Sequence, residues 1–424
     1  MKIKTMTKSY AEVCSIERPK HVKPAKQWSV IRRLLKLISR GEMKQVGFTY
    51  KEIGMDKLGP DEPCLILMNH SSFTDLNIIA TLFVNRQYHI VCTNDGFVGK
   101  SGLMRFIGCI PTKKFITDPT LVKDMKYTFE TLHSSVVMYP EASYSFDGTE
   151  TPLPKSLAKC LKLMKVPVIM VKTDGAFIRD PLYNNLQKRN VKVTATVKYV
   201  LSPEDVASKD PNEIHDILCE EFKYDHFKAQ HEQGVLVKEK FRADGLHRVL
   251  YKCPHCNKEG SMLGKGITIT CKNCDKVYTL NEDGTLGASD NSEYRFVTDW
   301  YAWEREEVRK ELENNTYHMD MDVDIKMLVD SKSIYSVGEG RLTHDREGFT
   351  LSGCNGELNF TMANKSSYSL YADYYWYEIG DVIAIGDSKK QFYCFPKDQK
   401  SANVAKARLA TEEAYKLCNI SCYS

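Results

Sequence analysis

The chain contains 424 residues, of which 42% are hydrophobic and 27% charged, and its formal net charge is +4. This length exceeds what one hydrophobic core usually holds, so we expect two or three domains. No apolar run approaches the ~18 residues that a membrane-spanning helix needs, and the lysine-rich start lacks the apolar core of a signal peptide. We therefore expect no membrane-spanning helix and a cytoplasmic protein.

The basic charge is concentrated at the start of the chain. Residues 1–44 hold twelve Lys or Arg against three Glu, a balance of +9 that leaves about −5 for the remainder. An amphipathic helix is predicted there, with apolar Trp28, Ile31, Leu34, Leu35 and Ile38 on one side and basic Arg32, Arg33, Lys36 and Arg40 on the other. Its apolar side suits either an anionic membrane surface or the core of the adjoining domain. Nucleic acid is a weaker third interpretation and is not expected as a partner.

Up to residue 245, short apolar runs alternate with helical patterns. The strand-like runs are Pro63–Met68, His89–Cys92, Ser135–Tyr139, Pro167–Lys172 and Val191–Val200, and the helical segments include Leu121–Leu132 and Ser156–Met164. This alternation predicts an α/β domain with a largely parallel sheet. In such sheets the chemistry gathers at strand ends.

His70 follows the first of these strands, and Asp75 begins the next helix, which Ser71 or Ser72 is expected to cap. A carboxylate bonded to one ring nitrogen of a histidine leaves the other nitrogen free to act as a base. No metal-binding partner lies at the i+4 position, so the pair indicates acid–base chemistry. The plainer interpretation is a buried histidine with satisfied hydrogen bonds.

Three further blocks follow: Gly108–Lys114, Tyr139–Ser145 and Val166–Val171. Together with Asn69–Asp75 they resemble the glycerolipid acyltransferase family, which esterifies lysophosphatidate (1-acylglycerol-3-phosphate) and related lysophospholipids. Its blocks include Asn-His-x4-Asp, a Gly-led block ending in Arg, Phe-Pro-Glu-Gly-Thr-Arg-Ser and Val-Pro-Val-x-Pro-Val. The resemblance covers roughly residues 27–200.

The resemblance implies an α/β acyltransferase that moves an acyl group from acyl-CoA or acyl-carrier protein to a lipid hydroxyl. It implies that His70 is the catalytic base, that Asp75 orients it, and that Glu141 orients a second hydroxyl of the acceptor. Lys113 and Lys114 would bind an anionic group of acceptor or donor. We expect a peripheral protein at the inner, cytoplasmic face of an anionic membrane.

Two departures bear on the acceptor. Lys114 and Tyr144 stand where the family has arginines, and neither offers the bidentate fork that grips phosphate. Ser143 and Tyr144 are therefore predicted to shape acceptor choice, with lysophosphatidate a poor substrate.

Each site residue has an alternative interpretation. Ser71 or Ser72 as a covalent nucleophile is disfavoured, because no Gly-x-Ser-x-Gly elbow surrounds either. Glu141 could instead be an acid at a helix N-terminus, and the two lysines a solvated loop pair.

Four cysteines form a C-x2-C-x14-C-x2-C pattern: Cys253, Cys256, Cys271 and Cys274. Four thiolates at this spacing predict a closed, structural zinc ribbon over residues 248–286, with Gly264 and Gly266 at its turn. The metal would hold the two flanking domains together and would not take part in catalysis. The other ten cysteines are predicted to be free thiols: Cys14, Cys64, Cys92, Cys109, Cys160, Cys219, Cys354, Cys394, Cys418 and Cys422.

After a linker marked by Gly284, Gly287, Ser289 and Ser292, a helix is predicted from Thr298 as N-cap to Leu312. Short alternating runs then predict antiparallel strands, two of them at Tyr368–Tyr371 and Tyr375–Glu378. Hairpin turns at Asp345–Gly348 and Gly386–Ser388 join four others. With a closing helix at about 402–417, this segment resembles a pleckstrin-homology-like barrel.

The predicted organisation is thus a basic segment (1–44), an acyltransferase domain (45–245), a zinc ribbon (248–286) and a helix with a β-rich domain (296–424). Two classes of function fit it. The first is an O-acyltransferase acting on a lysophospholipid or related glycerolipid at the membrane surface. The second is a non-catalytic acyltransferase-like protein that binds a lipid or a partner, and the retained His70 and Asp75 favour the first.

Overall fold

The computed structural model describes residues 2–116, 118–288, 294–398 and 404–420. Near the N-terminus lie strand β1 (Thr5–Thr7), helix α1 (Tyr10–Cys14) and the long helix α2 (Ser29–Gln45). The buried face of α2 includes Ile31 and Arg32, whose Nε donates to the carbonyl of Val84 at 3.2 Å. Placing Arg32 on the outer side was therefore wrong. The helix is rotated so that Leu34 and Ile38, expected on one apolar stripe with Ile31, are exposed.

A mixed α/β sheet with helices on both faces follows. In chain order its elements are β2 (Thr49–Ile53), β3 (Leu65–Met68), α3 (Thr74–Leu82), β4 (Tyr88–Thr93), α4 (Ser101–Phe106), β5 (Cys109–Thr112), α5 (Pro119–Glu130), β6 (Ser135–Met138), α6 (Ser156–Met164), β7 (Val168–Asp174), α7 (Ala176–Arg179), β8 (Thr194–Leu201), α8 (Pro203–Ser208), α9 (Pro211–Phe222) and α10 (His226–Glu232). The strand order is β2-β8-β7-β3-β6-β4-β5, and neighbouring strands are parallel except β7 and β8. The predicted α/β fold is confirmed.

Strand β3 runs through the middle of the sheet and is buried on both sides. Leu65 and Leu67 belong to the core on one face, with Met125, whereas Ile66 belongs to the core on the other, with Ile78. A strand covered by helices on both faces needs apolar residues at every position, which explains its unbroken apolar run. The carboxyl end of this rigid strand holds His70.

The cap predicted for α3 was right in part: the Ser72 hydroxyl accepts from the backbone N–H of Thr74 at 3.0 Å, although Ser72 is not the N-cap residue. The helix begins at Thr74 with Phe73 at its N-cap, and Phe73 makes no side-chain capping bond. The backbone N–H groups of Ser71 and Ser72 instead donate to the carboxylate of Asp75, at 2.9 and 3.2 Å. A longer loop thus separates strand and helix, and the aspartate closes it.

The four-cysteine segment forms a small antiparallel sheet. Its strands are β9 (Met262–Lys265), β10 (Thr268–Cys271), β11 (Val277–Leu280) and β12 (Leu286–Ala288), in the order β12-β11-β10-β9. Gly266 lies in the β9–β10 turn, as predicted, but Gly264 lies inside β9 and pairs with Ile269. A Cβ at Gly264 would come within 2.4 Å of the carbonyl of Ala243, so close backbone packing requires this glycine.

The C-terminal part is an antiparallel sheet covered by two helices. Its elements are α11 (Val297–Glu313), β13 (Met319–Leu328), β14 (Ile334–His344), β15 (Gly348–Gly353), β16 (Leu358–Ala363), β17 (Tyr371–Trp376), β18 (Gly380–Gly386), β19 (Gln391–Pro396) and α12 (Val404–Ile420). Phe296, not Thr298, is the N-cap of α11, because the Thr298 hydroxyl donates to Asp225 at 2.8 Å. The two strands predicted at 368–371 and 375–378 are one strand, β17, interrupted by a bulge.

Pairing in the described chain runs in one line, β16-β15-β14-β13-β19-β18-β17, with β1 added beside β14. The predicted antiparallel sheet is confirmed, and the pleckstrin-homology-like barrel stays a prediction. Ser289, Ser292, residues 402–403 and Cys422, which carried parts of the linker, helix and thiol predictions, lie outside the described residues.

One apolar cluster joins regions predicted as separate domains. It contains Phe146 and Phe177 of the α/β part, Cys253 of the cysteine module, Trp300 of α11 and Leu409 of α12. The boundaries at 45–245, 248–286 and 296–424 stay a prediction. The helices of the C-terminal part therefore pack against the loops that carry the site.

Candidate active site

The loop between β3 and α3 brings His70 and Asp75 into direct contact. The Nδ1 atom of His70 lies 3.0 Å from Oδ2 of Asp75, whose side chain is 1% exposed. An ionised carboxylate only accepts hydrogen bonds, so Nδ1 carries the proton and Nε2 is left as an acceptor. The arrangement can remove a proton from a hydroxyl group.

Burial lowers the pKa of His70 below its ordinary value, and Asp75 opposes this through its hydrogen bond and charge. The charge of Lys114 lowers the pKa further. The imidazole is therefore neutral at pH 7, the state that a general base requires.

Glu141 lies behind His70 rather than in a cavity wall. One carboxylate oxygen accepts from the backbone N–H of His70 at 2.9 Å, and the other accepts from the N–H of Thr151 at 3.1 Å. Burial outweighs these two bonds and raises the pKa of Glu141 to about 8. The two hydrogen bonds of Glu141 fix the backbone beneath the imidazole and leave neither carboxylate oxygen directed at a ligand.

Asn69 fixes the other side of the histidine. Its side-chain oxygen accepts from the backbone N–H and the hydroxyl of Thr173, at 2.8 and 3.1 Å. This ties the end of β3 to the end of β7. The residue that precedes the histidine in the first sequence block therefore locks two adjacent strand ends together.

Two tyrosines hold the imidazole ring. The ring centroids of Tyr139 and Tyr144 lie 4.3 and 4.1 Å from that of His70. Ala142 between them adopts φ = 58°, a left-handed conformation that glycine tolerates better. Tyr144 thus stacks on the proposed base at the position where the family has an arginine.

A cavity of about 1520 Å³ opens in front of His70. It reaches both faces of the sheet: Ile90 and Met104 line it on the α3–α4 side, and Met125 and Leu157 on the α5–α6 side. Its volume and apolar walls suit a lipid chain. His70, Lys113, Lys114 and Tyr144 line it among the predicted site residues, whereas Asp75, Glu141 and Ser143 do not.

The two lysines have different surroundings. The Nζ of Lys113 donates to the carbonyl of Ser388. Lys114 lies with its Nζ 3.9 Å from the ring centroid of Tyr371, and burial lowers its pKa. Ser143 is 3% exposed, and its hydroxyl has no hydrogen-bond partner within the described chain.

Reasoning from sequence missed the part of the cavity that the C-terminal sheet provides. Tyr368, Tyr371, Asp373 and Trp376 all line it. The density of aromatic residues between 368 and 377 was visible in the sequence, but it indicated only strands.

The sulfur atoms of the four grouped cysteines converge. Those of Cys253 and Cys274 are 3.8 Å apart, those of Cys256 and Cys271 are 3.7 Å apart, and all four lie within 4.8 Å of one another. Tetrahedral coordination with Zn–S bonds of about 2.3 Å gives S–S distances near ~3.8 Å. The donor set therefore fits a tetrahedral metal ion. Outside this group, the structure shows eight cysteines as free thiols: Cys14, Cys64, Cys92, Cys109, Cys160, Cys219, Cys354 and Cys394.

Residues 50–172 match the model of a family described as Acyltransferase. No curated protein matches the chain significantly. Solved structures that resemble it include the 1-acyl-sn-glycerophosphate (LPA) acyltransferase PlsC from Thermotoga maritima. That match has 14% identity and a TM-score of 0.36, and it covers 45% of this chain and 76% of that one. The sequence match alone carries the assignment: residues 50–172 are an acyltransferase-family domain.

Proposed function

We propose that this protein transfers a fatty acyl group from an acyl thioester to a hydroxyl group of a lysophospholipid or related glycerolipid at the membrane surface. The observation that carries the proposal is the His70–Asp75 pair, 3.0 Å apart, at the wall of a large apolar cavity inside the acyltransferase-family domain.

This geometry supports the following reaction. Nε2 of His70 accepts the proton of the acceptor hydroxyl, and at the same time the hydroxyl oxygen bonds to the carbonyl carbon of the thioester. The carbon–sulfur bond then breaks, and the imidazolium returns the proton to the departing thiolate. Asp75 holds the tautomer and stabilises the imidazolium, and general-base catalysis of this kind contributes about 10²–10⁴-fold. Either acyl-CoA or acyl-carrier protein supplies such a thioester.

We assign Glu141 a positioning role, since both of its oxygens are occupied by backbone N–H groups. Lys114 and Tyr144 are the substrate-binding residues that face the cavity beside His70. Lys113 lies at the same wall and also contacts the C-terminal sheet.

The surface around the cavity mouth supports action on lipid. Trp28, which precedes α2, and Leu34 and Ile38 on that helix are exposed, as are Phe73 and Leu76 at the start of α3. Ile38, Phe73 and Leu76 also line the cavity, so the exposed apolar surface runs into it. Basic Arg33 and Arg40 are exposed on the same helix. Apolar residues flanked by basic ones suit an anionic bilayer. In the part of the chain that the structure describes, no helix combines the length and apolar character needed to span one.

Vesicle flotation tests this surface. Leu34→Ser combined with Ile38→Ser should weaken binding to vesicles containing anionic lipid about tenfold or more, since each change removes apolar area from the bilayer contact. Leu163→Ser, at a residue that is equally exposed on α6 and outside the cavity lining, is the matched control. Equal binding by all variants would contradict the membrane part of the proposal.

Zinc is the proposed ion at Cys253, Cys256, Cys271 and Cys274, with a structural role. Four sulfur ligands close the coordination sphere and leave no position for a substrate. Elemental analysis should find one zinc per chain.

The activity is tested by offering purified protein an acyl-CoA and a panel of hydroxylated lipids, with products identified by mass spectrometry. His70→Ala should abolish transfer while the fold and zinc content persist. His318→Ala, a change at an exposed histidine, should leave the rate unchanged. Full activity of folded His70→Ala would leave only the non-catalytic binding function.

A further inference from the structure

The C-terminal part of the chain forms hydrogen bonds with both loops that carry the substrate-binding residues. The hydroxyl of Tyr368 donates to the carbonyl of Pro140 at 3.3 Å, and that of Ser367 to the carbonyl of Phe115 at 3.2 Å. On α12, Nη1 of Arg408 donates to the carbonyl of Tyr144 at 3.4 Å. These bonds join residues more than 220 positions apart, and they fall at the loops of Lys114 and Tyr144.

The same sheet also closes the polar part of the cavity. Tyr371, Asp373 and Tyr377, from β17 and the turn after it, line the cavity together with His70 and Lys114. The hydroxyl of Tyr371 donates to Asp95 at 3.2 Å, and its ring lies under the Lys114 ammonium. The binding site is thus built from two parts of the chain.

Lys114 and Asp373 are opposite charges that do not pair with each other. Each affects the pKa of the other, and burial raises the pKa of Asp373 to about 7. Among the described residues no ion pair involves either side chain. The Lys114 ammonium lies over the ring of Tyr371, and Asp373 accepts a hydrogen bond from the backbone N–H of Tyr374. Both side chains are half-buried, and charges that are partly withdrawn from water are stabilised by an opposite charge nearby. Two opposite charges that line one cavity, neither with an ionic partner, can each pair with an opposite charge on a ligand.

Three head groups can be compared at this position. The doubly charged phosphate of lysophosphatidate would meet Lys114 but be repelled by Asp373 and by the nearby carboxylate of Asp95. An uncharged glyceride would leave both the ammonium and the carboxylate without counter-charge. A head group with one phosphate and one ammonium satisfies both.

We propose that Asp373, supplied by the C-terminal sheet, is an acceptor-binding residue that acts with Lys114 to select a lysophospholipid with a zwitterionic head group. The head-group ammonium binds Asp373, and the phosphate binds Lys114. This inference rests on the proposed acyltransferase function and names the acceptor of that same site.

The test is steady-state kcat/KM of the full-length protein with one acyl-CoA and three acceptors that share an acyl chain. These are lysophosphatidylethanolamine, lysophosphatidate and monoacylglycerol. Wild type should prefer lysophosphatidylethanolamine by about tenfold or more, as expected for one charge-assisted hydrogen bond in a desolvated site. Asp373→Asn should raise KM for that acceptor about tenfold or more and improve use of lysophosphatidate relative to it.

Matched variants separate binding from folding. Asp324→Asn makes the same change at an exposed position of the same sheet and should leave the preference intact. Asp373→Glu keeps the charge and should retain most of the preference. Lys114→Gln should weaken both phosphate-bearing acceptors and spare monoacylglycerol. If Asp373→Asn does not fold, Lys114→Gln still tests the proposal.

The outcomes are distinguishable. If wild type prefers lysophosphatidate or monoacylglycerol, or if neither Asp373→Asn nor Lys114→Gln changes the order of acceptors, the inference is overturned and acyl transfer stands. If neither these three acceptors nor any other hydroxylated lipid is acylated, the proposed function itself is overturned.

Discussion

Replacing Asp75 by asparagine tests the proposed base most directly. The Asp75 carboxylate meets Nδ1 of His70 at 3.0 Å and the backbone N–H groups of Ser71 and Ser72 at 2.9 and 3.2 Å. Asparagine keeps one acceptor oxygen but introduces an NH2 group among these donors. The imidazole then loses both its fixed tautomer and the negative charge that stabilises its protonated form. Because orientation and protonation both fail, we expect kcat/KM to fall by about 10²–10⁴-fold.

The pH profile of kcat/KM provides a second readout. Burial lowers the pKa of His70 and Asp75 partly offsets this, so removing the charge should lower that pKa further. The base works only when neutral. Activity of wild type should therefore fall as the pH drops through a pKa below 6.5, and in the variant this decline should move to lower pH. Because burial lowers the pKa of His70 in the folded state, the unfolded state binds a proton more readily. The free energy of unfolding therefore falls as the pH drops from the unfolded pKa of His70 through its folded pKa.

Asp124→Asn is the control for the aspartate variant, because the buried carboxylate of Asp124 also contacts a histidine, lying 3.0 Å from Nε2 of the exposed His21. It lies outside the cavity lining and should leave kcat/KM within about twofold. A folded Asp75→Asn protein that keeps more than about a tenth of wild-type activity would refute the assigned role of Asp75.

Three further changes test other parts of the proposal. Cys271→Ser should remove the zinc and destabilise the protein, since such sites contribute on the order of 10 kcal/mol; stoichiometric zinc in the variant would contradict the site. Tyr144→Arg should improve kcat/KM for lysophosphatidate relative to the native acceptor, because it restores a guanidinium beside His70; an unchanged ratio would contradict this. Ala142→Gly should raise the free energy of unfolding, measured with denaturant, by up to about 1 kcal/mol, because glycine adopts the left-handed φ of 58° at this position more easily than alanine. Ala302→Gly, at an exposed position within α11, is the control and should lower the free energy of unfolding by about 1 kcal/mol.

The sequence was informative where a local pattern determines the structure. Strand β3 was predictable because a strand buried on both faces has no polar positions. Strand β2 was missed because all five of its residues are exposed and so leave no apolar pattern. Strand β5 was missed because it contains Pro111 and lies at the sheet edge.

Caps and helix rotation could not be predicted, because tertiary contacts decide them. Ser71, Ser72 and Thr298 were reasonable N-caps by type. The Ser72 hydroxyl does accept from the N–H of Thr74 at the start of α3, but Ser71 contributes its backbone N–H to Asp75, and Thr298 donates its hydroxyl to Asp225. Arg32 was expected on the polar side of α2, yet a distant carbonyl accepts its Nε and draws it inward. The apolar residues left outside by that rotation are those that support membrane contact.

The cysteine module is linked to the site through an unbroken series of contacts that no local pattern reveals. On α11, Glu304 accepts from the backbone N–H of Lys252, beside Cys253, at 2.7 Å, and Nε1 of Trp300 donates to the Lys252 carbonyl at 3.0 Å. Arg305 on the same helix pairs at 2.7 Å with Glu412 of α12, which in turn accepts from Nε of Arg408 at 3.2 Å. Arg408 then donates to the carbonyl of Tyr144, the residue stacked on His70. A metal bound at Cys253 would thus support the helices that hold the cavity wall, which is the structural role proposed for it.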